Sequence, residues 1–173
     1  YGFLKKDDIA KTKNGGKVST NTGKEFVICD PSFIDFYQKI KRGAQIIPLK
    51  DLGCIVTESG INKKSKVVDA GAGSGALACF LANIAKDVTS YDIRDDFLQI
   101  AQHNKEYLKI SNLKIKKGSI YEPIKEKNVD LMTLDVPEPW LALPTATKSL
   151  KPGGFLISYS PSIPQVMDFV SKL

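Results

Sequence analysis

One stretch of this sequence combines the residue types needed to bind a small ligand. Three glycines alternate with small residues after an acid: Gly71, Gly73 and Gly75. Glycine lets a backbone turn sharply and lie against a ligand, and the apolar residues 76–85 predict a helix whose free N–H groups face that turn. Asp92 ends the next apolar run, 23 residues beyond Asp69, where an acid can accept hydrogen bonds from ribose hydroxyls. Residues 66–92 therefore predict a strand, a glycine-rich turn, a helix and a second strand that bind a nucleoside.

The same glycines allow other interpretations. Many glycine-rich turns are tight links between a strand and a helix, without a ligand, and residues 71–76 also satisfy GxGxxG/A, the dinucleotide pattern, so NAD is an alternative. Asp69 argues against a dinucleotide, because its carboxylate would stand beside the negatively charged pyrophosphate. A carboxylate suits a ligand with a cationic end. S-adenosyl-L-methionine is such a ligand, since it carries an ammonium group and a sulfonium and has no phosphate.

Length and composition indicate one domain of ordinary size with a small appendage. The chain has 173 residues, 42% of them hydrophobic, which suffices for a sizeable core. It contains no run of about 18 apolar residues and no signal-peptide pattern, so we expect no membrane span and a cytoplasmic location. Three cysteines without a CxxC or a neighbouring histidine predict buried thiols rather than disulfides or a zinc site: Cys29, Cys54 and Cys79.

The positive charge is concentrated near the start of the chain. Residues 1–42 hold nine Lys or Arg and five Asp or Glu, a net charge of +4 out of the total of +6. Such asymmetry is typical of a surface that binds a polyanion. A solvated, lysine-rich face is the alternative, and charge alone does not distinguish the two.

The first part of the chain is predicted to be rich in β-structure. Residues 17–20 and 24–29 are strand-like and flank an Asn-Thr-Gly turn, which predicts a hairpin. Asp30 and Pro31 then resemble the N-cap and first residue of a helix. We expect residues 1–41 to form a small N-terminal part that is incomplete at its start, and residues 42–173 to form the ligand-binding domain.

Beyond residue 48, helical and strand-like patterns alternate. We predict helices at 52–59, 95–108 and 140–150 and further strands at 113–116, 129–134 and 155–160, the last preceded by a Lys-Pro-Gly-Gly turn. This alternation predicts an α/β protein with a Rossmann-like, doubly wound and mostly parallel sheet. Ligands of such sheets gather at the carboxyl ends of the strands. Those ends carry four polar residues: Asp69, Asp92, Ser119 and Asp135.

The segment Asp135-Val-Pro-Glu-Pro-Trp140 is the second informative stretch. An aspartate at the end of a buried strand, followed by two prolines and a tryptophan, predicts a carboxylate and an apolar wall at the rim of the pocket. A capping aspartate and a core tryptophan are the alternative. His103 is the single histidine and falls within a predicted helix, so no Ser-His-Asp or Cys-His arrangement can be assembled.

Four motifs together resemble the tRNA (adenine-N1)-methyltransferases, most closely the archaeal type. They are G-K-E-F at 23–26, R-G-A-Q-I-I at 42–47, D-A-G-A-G-S-G-A at 69–76 and D-V-P-E-P-W at 135–140. The glycine motif is common to class I methyltransferases, whereas P-E-P-W is far more specific. The resemblance implies a homotetramer that binds tRNA and uses S-adenosyl-L-methionine to methylate N1 of adenine at T-loop positions 57 and 58.

The resemblance also implies roles for individual residues. Asp135 is the expected catalytic aspartate, accepting a hydrogen bond from the adenine amine, and no metal is expected. Trp140 is expected to help wall the pocket of a base turned out of the T-loop. The expected cofactor-binding residues are Gln45, Asp69, Gly71, Gly73, Ser74, Gly75, Ala76, Leu77, Asp92, Ser119, Ile120 and Asp135.

The sequence departs from the family pattern at three places. Ser119 stands where an aspartate usually binds the cofactor's adenine, and Leu49 stands where an aromatic residue or histidine is typical. We also expect residues 42–173 not to contain the antiparallel hairpin that finishes a class I sheet. Two alternatives stay open: a methyltransferase or decarboxylase of small molecules on the same fold, and a non-catalytic RNA-binding subunit.

Overall fold

A computed structural model describes residues 1–43 and 45–173. Ala44, which belongs to the R-G-A-Q-I-I motif, lies outside the described residues. The chain forms two compact units, Tyr1–Gln38 and Lys39–Leu173.

The smaller unit contains the predicted hairpin and one unpredicted helix. Its elements are α1 (Lys6–Lys11), β1 (Lys17–Ser19), β2 (Glu25–Val27) and α2 (Phe33–Tyr37). The two strands are antiparallel, with Val18 opposite Phe26, and the turn closes through the Gly23 N–H donating to the Thr20 carbonyl at 3.0 Å. The hairpin is therefore confirmed.

The start of α2 differs from the prediction. Ser32, not Asp30, is its N-cap, because Ser32 and Asp35 form a capping box. The Asp35 carboxylate accepts from the Ser32 N–H at 2.8 Å and from the Ser32 hydroxyl at 2.7 Å. Two donors are satisfied in this way, which the Asp30-Pro31 start would not achieve.

The larger unit has the predicted α/β architecture. Its elements are α3 (Leu49–Ser59), β3 (Lys66–Ala70), α4 (Ala76–Ala82), β4 (Asp87–Asp92), α5 (Asp95–Tyr107), β5 (Leu113–Lys117), β6 (Val129–Leu134), α6 (Leu143–Ser149), β7 (Leu150–Ser158) and α7 (Ile163–Ser171). The five strands pair in parallel in the order β5-β4-β3-β6-β7. The strand order reverses between β3 and β6, which is where such sheets form a ligand crevice. The Rossmann-like fold class is confirmed.

Two predicted boundaries in the second half are wrong. The Lys-Pro-Gly-Gly sequence at 151–154 is not a turn before a strand but lies inside β7. Residues 129 and 131 of β6 face residues 150 and 155 of β7, so the extra residues bulge out of the ladder, helped by the positive φ of Gly153. The predicted helix 140–150 is a 3-10 turn, Pro139–Ala142, followed by α6.

The core is formed by the central strands and the apolar faces of the helices. Val68, Leu131 and Met132 are fully buried in the sheet. In α3, Leu52 and Ile55 face the core, and Gly60 ends the helix in the left-handed conformation. No helix among the described residues is long and apolar enough to cross a membrane.

The cysteine prediction is only partly right. Cys79 is buried in α4, whereas Cys29 and Cys54 are exposed. Cys54 lies one position before the buried Ile55 on an amphipathic helix, so the helical period turns it to solvent.

Candidate active site

A cavity of about 610 Å³ lies at the carboxyl ends of the strands. Its size is within the range of about 300–1,000 Å³ typical of sites for small molecules. Its lining residues come from the segments 45–47, 70–74, 76–77, 91–94, 97, 118–121 and 135–138.

The glycine-rich turn after β3 forms the floor of the cavity. The N–H groups of Gly71 and Ala72 both donate to the Tyr91 carbonyl at 3.0 Å, which fixes the turn against β4. Gly71 has φ +88°, and a Cβ there would lie 2.0 Å from the carbonyl oxygen of Asp135. Only glycine therefore lets the turn pack directly on the end of β6.

Gly75 has a different role from the one predicted. It is the left-handed residue preceding α4, and a Cβ there would lie 2.9 Å from the Cβ of Ala101 in α5. It does not line the cavity. The predicted contact of Gly75 with a cofactor is thus replaced by close packing of the turn against α5.

Asp92 is held at the end of β4 with its carboxylate directed to the cavity. Oδ2 accepts from the Gly73 N–H at 2.9 Å and Oδ1 from the Arg94 N–H at 3.0 Å. A carboxylate has about four acceptor positions, so each oxygen keeps the capacity to accept another hydrogen bond. This arrangement suits a pair of vicinal hydroxyls.

Asp69 lies beneath the turn rather than on the cavity wall. Its carboxylate is 1% exposed and accepts from the hydroxyls of Ser90 at 2.6 Å and Thr133 at 2.8 Å. The pKa of Asp69 is raised to about 6, with burial as the largest cause; the hydrogen bonds from Ser90 and Thr133 lower it, and the nearby carboxylates of Asp135 and Asp92 raise it. The predicted direct contact with a ligand does not fit this placement, so Asp69 can act on a ligand through its charge.

Asp135 lies at the end of β6 and faces the cavity. Its N–H donates to the Ala70 carbonyl at 2.8 Å, which ties the end of β6 to the end of β3. The side chain reaches solvent through the cavity, yet the surrounding protein desolvates the carboxyl enough to raise its pKa above the usual value. The loop after it is fixed by Gln165, whose amide donates to the Pro137 carbonyl at 2.7 Å.

Sequence reasoning missed Tyr159 and Asp51. The Tyr159 N–H donates to the Leu134 carbonyl at 2.9 Å, and the Tyr159 hydroxyl donates to Asp51 Oδ2 at 3.3 Å. Burial and the charges of Asp51 and Asp135 raise the pKa of Tyr159. Tyr159 follows the carboxyl end of β7, so the rule that selected Asp135 could also have selected it.

The remaining predicted residues of the cavity fall into three places. Gln45 lines it from the segment that enters the larger unit, Ala76 and Leu77 from the first turn of α4, and Ser119 and Ile120 from the segment after β5. The Ser119 hydroxyl accepts from the Tyr121 N–H at 3.2 Å, which makes a short turn.

Trp140 does not wall the cavity. It packs beside the hydrophobic core, and the Lys172 ammonium lies 4.1 Å from its ring centroid. The two prolines turn the chain so that Val136, Pro137 and Glu138 form the rim instead. His103 lies in α5, as predicted, and is exposed. No group of three potential metal ligands occurs in residues 1–43 and 45–173.

Ser74 and Asn104 hold the first residues of the larger unit in place. The Ser74 hydroxyl, predicted to bind a cofactor, accepts from the Gly43 N–H at 2.9 Å. Asn104 is completely buried and binds both Lys41 and Ser74. No motif pointed to Asn104, because its partners are backbone groups far away in sequence.

Comparison with known proteins places this geometry in a family. Residues 61–171 match the model of a methyltransferase domain. The chain is 32% identical to tRNA (adenine(57)-N(1)/adenine(58)-N(1))-methyltransferase TrmI of Methanocaldococcus jannaschii, covering 96% of this chain and 70% of that protein. It is also 32% identical to tRNA (adenine(58)-N(1))-methyltransferase TrmI of Thermus thermophilus, covering 98% and 68%.

A solved structure shares both sequence and fold with the chain. The SAM-dependent O-methyltransferase of Thermotoga maritima is 31% identical, with a TM-score of 0.89, over 99% of this chain and 66% of that one. The chain thus spans about two thirds of the length of the relatives it matches.

Proposed function

The chain belongs to the tRNA (adenine-N1)-methyltransferase family, and from this membership we propose that it methylates N1 of adenine in tRNA with S-adenosyl-L-methionine as the methyl donor. The observation that carries the proposal is the junction of the glycine turn with Asp135. Gly71 packs directly on the backbone of Asp135, so the turn that receives the donor and the carboxylate that meets the substrate form one rigid edge.

The residues of the cavity fit the donor. Asp92 would hold the ribose hydroxyls, because both of its oxygens are oriented by backbone N–H groups and keep acceptor capacity. The turn residues Gly71, Gly73 and Ser74, with Ala76 and Leu77, would contact the methionine part, and Gln45 would close it from the other side. Ser119 and Ile120 would contact the adenine of the donor. When bound, S-adenosyl-L-methionine supplies an electrophilic methyl group on a positively charged sulfur.

Asp135 is the proposed catalytic residue. Adenine N1 attacks with a neutral lone pair, and its methylation leaves a positive charge that spreads to the exocyclic amine. A carboxylate that accepts a hydrogen bond from this amine stabilises the charge as it develops. Asp135 is desolvated but accessible from the cavity, so it can do this without forming a covalent bond to the substrate.

Tyr159 and Asp51 would position the base. The Tyr159 hydroxyl is bonded to Asp51, and the charge of Asp135 contributes to its raised pKa, so the phenol stays protonated beside the catalytic carboxylate. N1 lies on the pairing edge of adenine, which means that the base must be turned out of the T-loop to reach Asp135. An aromatic ring with a polar tip is suited to receive it.

We extend the proposal to the finer properties that the family resemblance implies. The M. jannaschii relative is named for adenines 57 and 58, and these are the proposed targets. A homotetramer and a cytoplasmic location are likewise proposed, and sedimentation of the purified protein would test the first.

The decisive experiment combines methyl transfer with a matched pair of variants. Wild-type protein, Asp135→Asn and Glu138→Gln are incubated with tRNA and isotope-labelled donor, and nucleosides are identified by mass spectrometry. Asp135→Asn should lower turnover roughly 100-fold, the scale for a positioned acid or base, while its affinity for S-adenosylhomocysteine changes less than about threefold. Glu138→Gln removes another rim carboxylate and should retain turnover. Equal turnover in all three proteins would show that Asp135 is not catalytic.

A small-molecule methyltransferase is the second candidate. It is favoured by the similarity to the Thermotoga maritima O-methyltransferase over nearly the whole chain. In the same assay, label that appears in small molecules but not in 1-methyladenosine would support it. Binding of tRNA without transfer of label would instead support the non-catalytic RNA-binding subunit.

A further inference from the structure

Asn104 is a polar side chain at the centre of the larger unit, on the face of α5 turned away from solvent. It is 0% exposed. Its amide nitrogen donates to the Lys41 carbonyl at 2.7 Å and to the Ser74 carbonyl at 2.8 Å, and its Oδ1 accepts from the Lys41 N–H at 2.8 Å. Both donors and one acceptor position are therefore used, and every partner is backbone.

These bonds join the glycine turn to the strap, which we define as residues 41–43 and 45–47. A second bond, from the Gly43 N–H to the Ser74 hydroxyl at 2.9 Å, runs parallel to them. The strap also packs tightly on α5, since a Cβ at Gly43 would lie 2.3 Å from Ile100 Cδ1. The strap then continues to Gln45, Ile46 and Ile47, which line the cavity.

We propose that Asn104 is a positioning residue for donor binding: it latches the strap to the glycine turn and so holds one wall of the cavity in place. The proposal rests on the proposed function, in which the cavity holds S-adenosyl-L-methionine. Asn104 does not line the cavity, so its effect must pass through the strap. An apolar replacement would leave one buried N–H and two carbonyls without partners, and the strap would gain by moving to water.

Asn112 provides a matched control. Its amide donates to the carbonyls of Ala82 at 2.8 Å and Ala85 at 2.9 Å, which holds the end of α4 remote from the cavity. Asn104→Leu and Asn112→Leu thus remove comparable sets of hydrogen bonds to backbone. Both should lower the unfolding temperature, but only Asn104→Leu should loosen the strap.

The test measures S-adenosylhomocysteine affinity by calorimetry and amide hydrogen exchange in residues 39–47. Asn104→Leu should weaken affinity about tenfold or more, the equivalent of one to two buried hydrogen bonds, and speed exchange in the strap. Asn112→Leu should change neither. If Asn104→Leu does not fold, Asn104→Ala serves instead, because it removes the same hydrogen bonds to Lys41 and Ser74 with a smaller side chain.

Two outcomes separate the inference from its premise. If wild-type protein binds no S-adenosylhomocysteine, the proposed function fails, while the exchange data still report on the latch. If wild-type protein binds S-adenosylhomocysteine and Asn104→Leu or Asn104→Ala binds it equally well, the latch is overturned.

The edge of the sheet opposite the cavity carries a concentration of positive charge. Four segments at the amino ends of neighbouring strands carry seven exposed lysines, which we call the lysine edge: Lys63, Lys64, Lys66, Lys86, Lys127, Lys148 and Lys151. Contacts between the segments establish that they adjoin. The Lys66 N–H donates to Asp130 Oδ2 at 2.7 Å, Lys151 pairs with the same carboxylate, and the Lys127 ammonium donates to the Lys148 carbonyl at 3.1 Å. The Lys86 N–H donates to the Ser65 carbonyl at 2.9 Å.

The lysine edge accounts for the net charge of its unit. Residues 39–173 contain 19 Lys or Arg and 14 Asp or Glu, a net charge of +5. The segments 62–66, 86–87, 127–130 and 148–151 contain the seven lysines with Asp87 and Asp130, also a net charge of +5. The rest of the unit, including the cavity edge, is neutral overall.

We infer that the lysine edge binds the phosphate backbone of RNA, given the proposed tRNA substrate. Phosphate contacts by lysines supply affinity without sequence preference. An anionic membrane surface is disfavoured, because these four segments expose no large apolar side chain for insertion.

The salt dependence of tRNA binding tests this surface. The triple variant Lys63→Ser, Lys64→Ser, Lys86→Ser should lower the slope of log affinity against log salt by about 2, since each phosphate contact contributes about 0.7–0.9. The control Lys105→Ser, Lys109→Ser, Lys114→Ser should keep the wild-type slope. Absence of tRNA binding by wild-type protein would contradict the proposed function. An unchanged slope in the first variant, or loss of binding only to anionic phospholipid vesicles, would overturn the RNA surface.

Discussion

Replacing Asp69 by Asn should make the protein more stable at neutral pH. The Asp69 carboxylate is fully buried, and its pKa is about 6 in the folded protein against about 4 in an unfolded chain. Because the folded value is the higher one, the stability associated with this group is complete below about pH 4 and is lost as the pH rises through about 6. Above that pH, folding must bury a negative charge.

The size of the effect follows from the pKa difference. A difference of about two units corresponds to about 3 kcal/mol. Asn keeps the shape and an acceptor for the Thr133 hydroxyl, but Ser90 must turn its hydroxyl to accept rather than donate, which we set at about 1 kcal/mol. Asp69→Asn should therefore stabilise the fold by about 2 kcal/mol at pH 8 and destabilise it by about 1 kcal/mol at pH 4.

Denaturant unfolding of both proteins between pH 4 and pH 8 measures this difference. The two stability curves should cross between these limits. A difference in unfolding free energy that is independent of pH would refute the reasoning, because it would mean that Asp69 titrates alike in the folded and unfolded states.

The same variant reports on ligand selection. Asp69 does not touch the cavity, so its charge should matter only for a cationic ligand. Affinity for S-adenosylmethionine should fall more than affinity for S-adenosylhomocysteine, which lacks the positive charge on sulfur. An equal loss for both ligands would indicate a distorted turn rather than a lost charge.

Three further substitutions probe the backbone and the rim. Gly71→Ala should abolish binding of S-adenosylhomocysteine in calorimetry, because the new Cβ would lie 2.0 Å from the Asp135 carbonyl; retained binding would contradict the tight junction. Gly60→Ala also requires a positive φ but meets open space, so thermal unfolding should reveal a loss of only about 1 kcal/mol with unchanged binding. Tyr159→Phe removes the hydrogen bond to Asp51. Methyl transfer to tRNA should fall about tenfold, whereas the affinity for S-adenosylhomocysteine should stay the same. A change in S-adenosylhomocysteine affinity without a change in methyl transfer would refute a role of Tyr159 in positioning the target base.

The sheet could be predicted because its signals are local. β6 spans Val129–Leu134 as expected, and the alternation of strands and helices fixes a parallel sheet. The Lys-Pro-Gly-Gly bulge was not predicted, because Gly and Pro are typical both of a turn between two elements and of a bulge within a strand. Whether the chain turns or bulges depends on its pairing with β6, which no local pattern contains.

The candidate site was predictable to the extent that strand ends identify it. Asp92 and Asp135 both line the cavity, as their positions at the carboxyl ends of β4 and β6 implied. Asp69 also ends a strand, but its side chain points beneath the turn to Ser90 and Thr133. Successive side chains of a strand point to opposite faces of the sheet, so being near the end of a strand does not by itself direct a side chain to the ligand. The turn at Gly71 then covers the Asp69 carboxylate.

Trp140 and Asn104 show the limits of reading residue types. A tryptophan after two prolines suggests a pocket wall, yet its ring packs beside the core and under Lys172. Asn104 looks like an ordinary polar residue of a helix, yet it is buried and joins segments far apart in sequence. In both cases tertiary packing decides the role.

The positions of Asp69, Asp92 and Asp135 suggest how one site can stabilise both the cationic donor and the cationic product of the proposed reaction. Asp69 and Asp92 lie at the glycine turn and β4, whereas Asp135 closes β6 on the substrate side, and their like charges already raise the pKa of Asp69. A cationic donor relieves that repulsion. Transfer of the methyl group to adenine N1 would leave S-adenosylhomocysteine and would shift the positive charge from the donor's sulfur to the adenine beside Asp135, so the total charge in the cavity would stay constant. The carboxylates can therefore stabilise donor and product in turn without any group of the protein changing its protonation state.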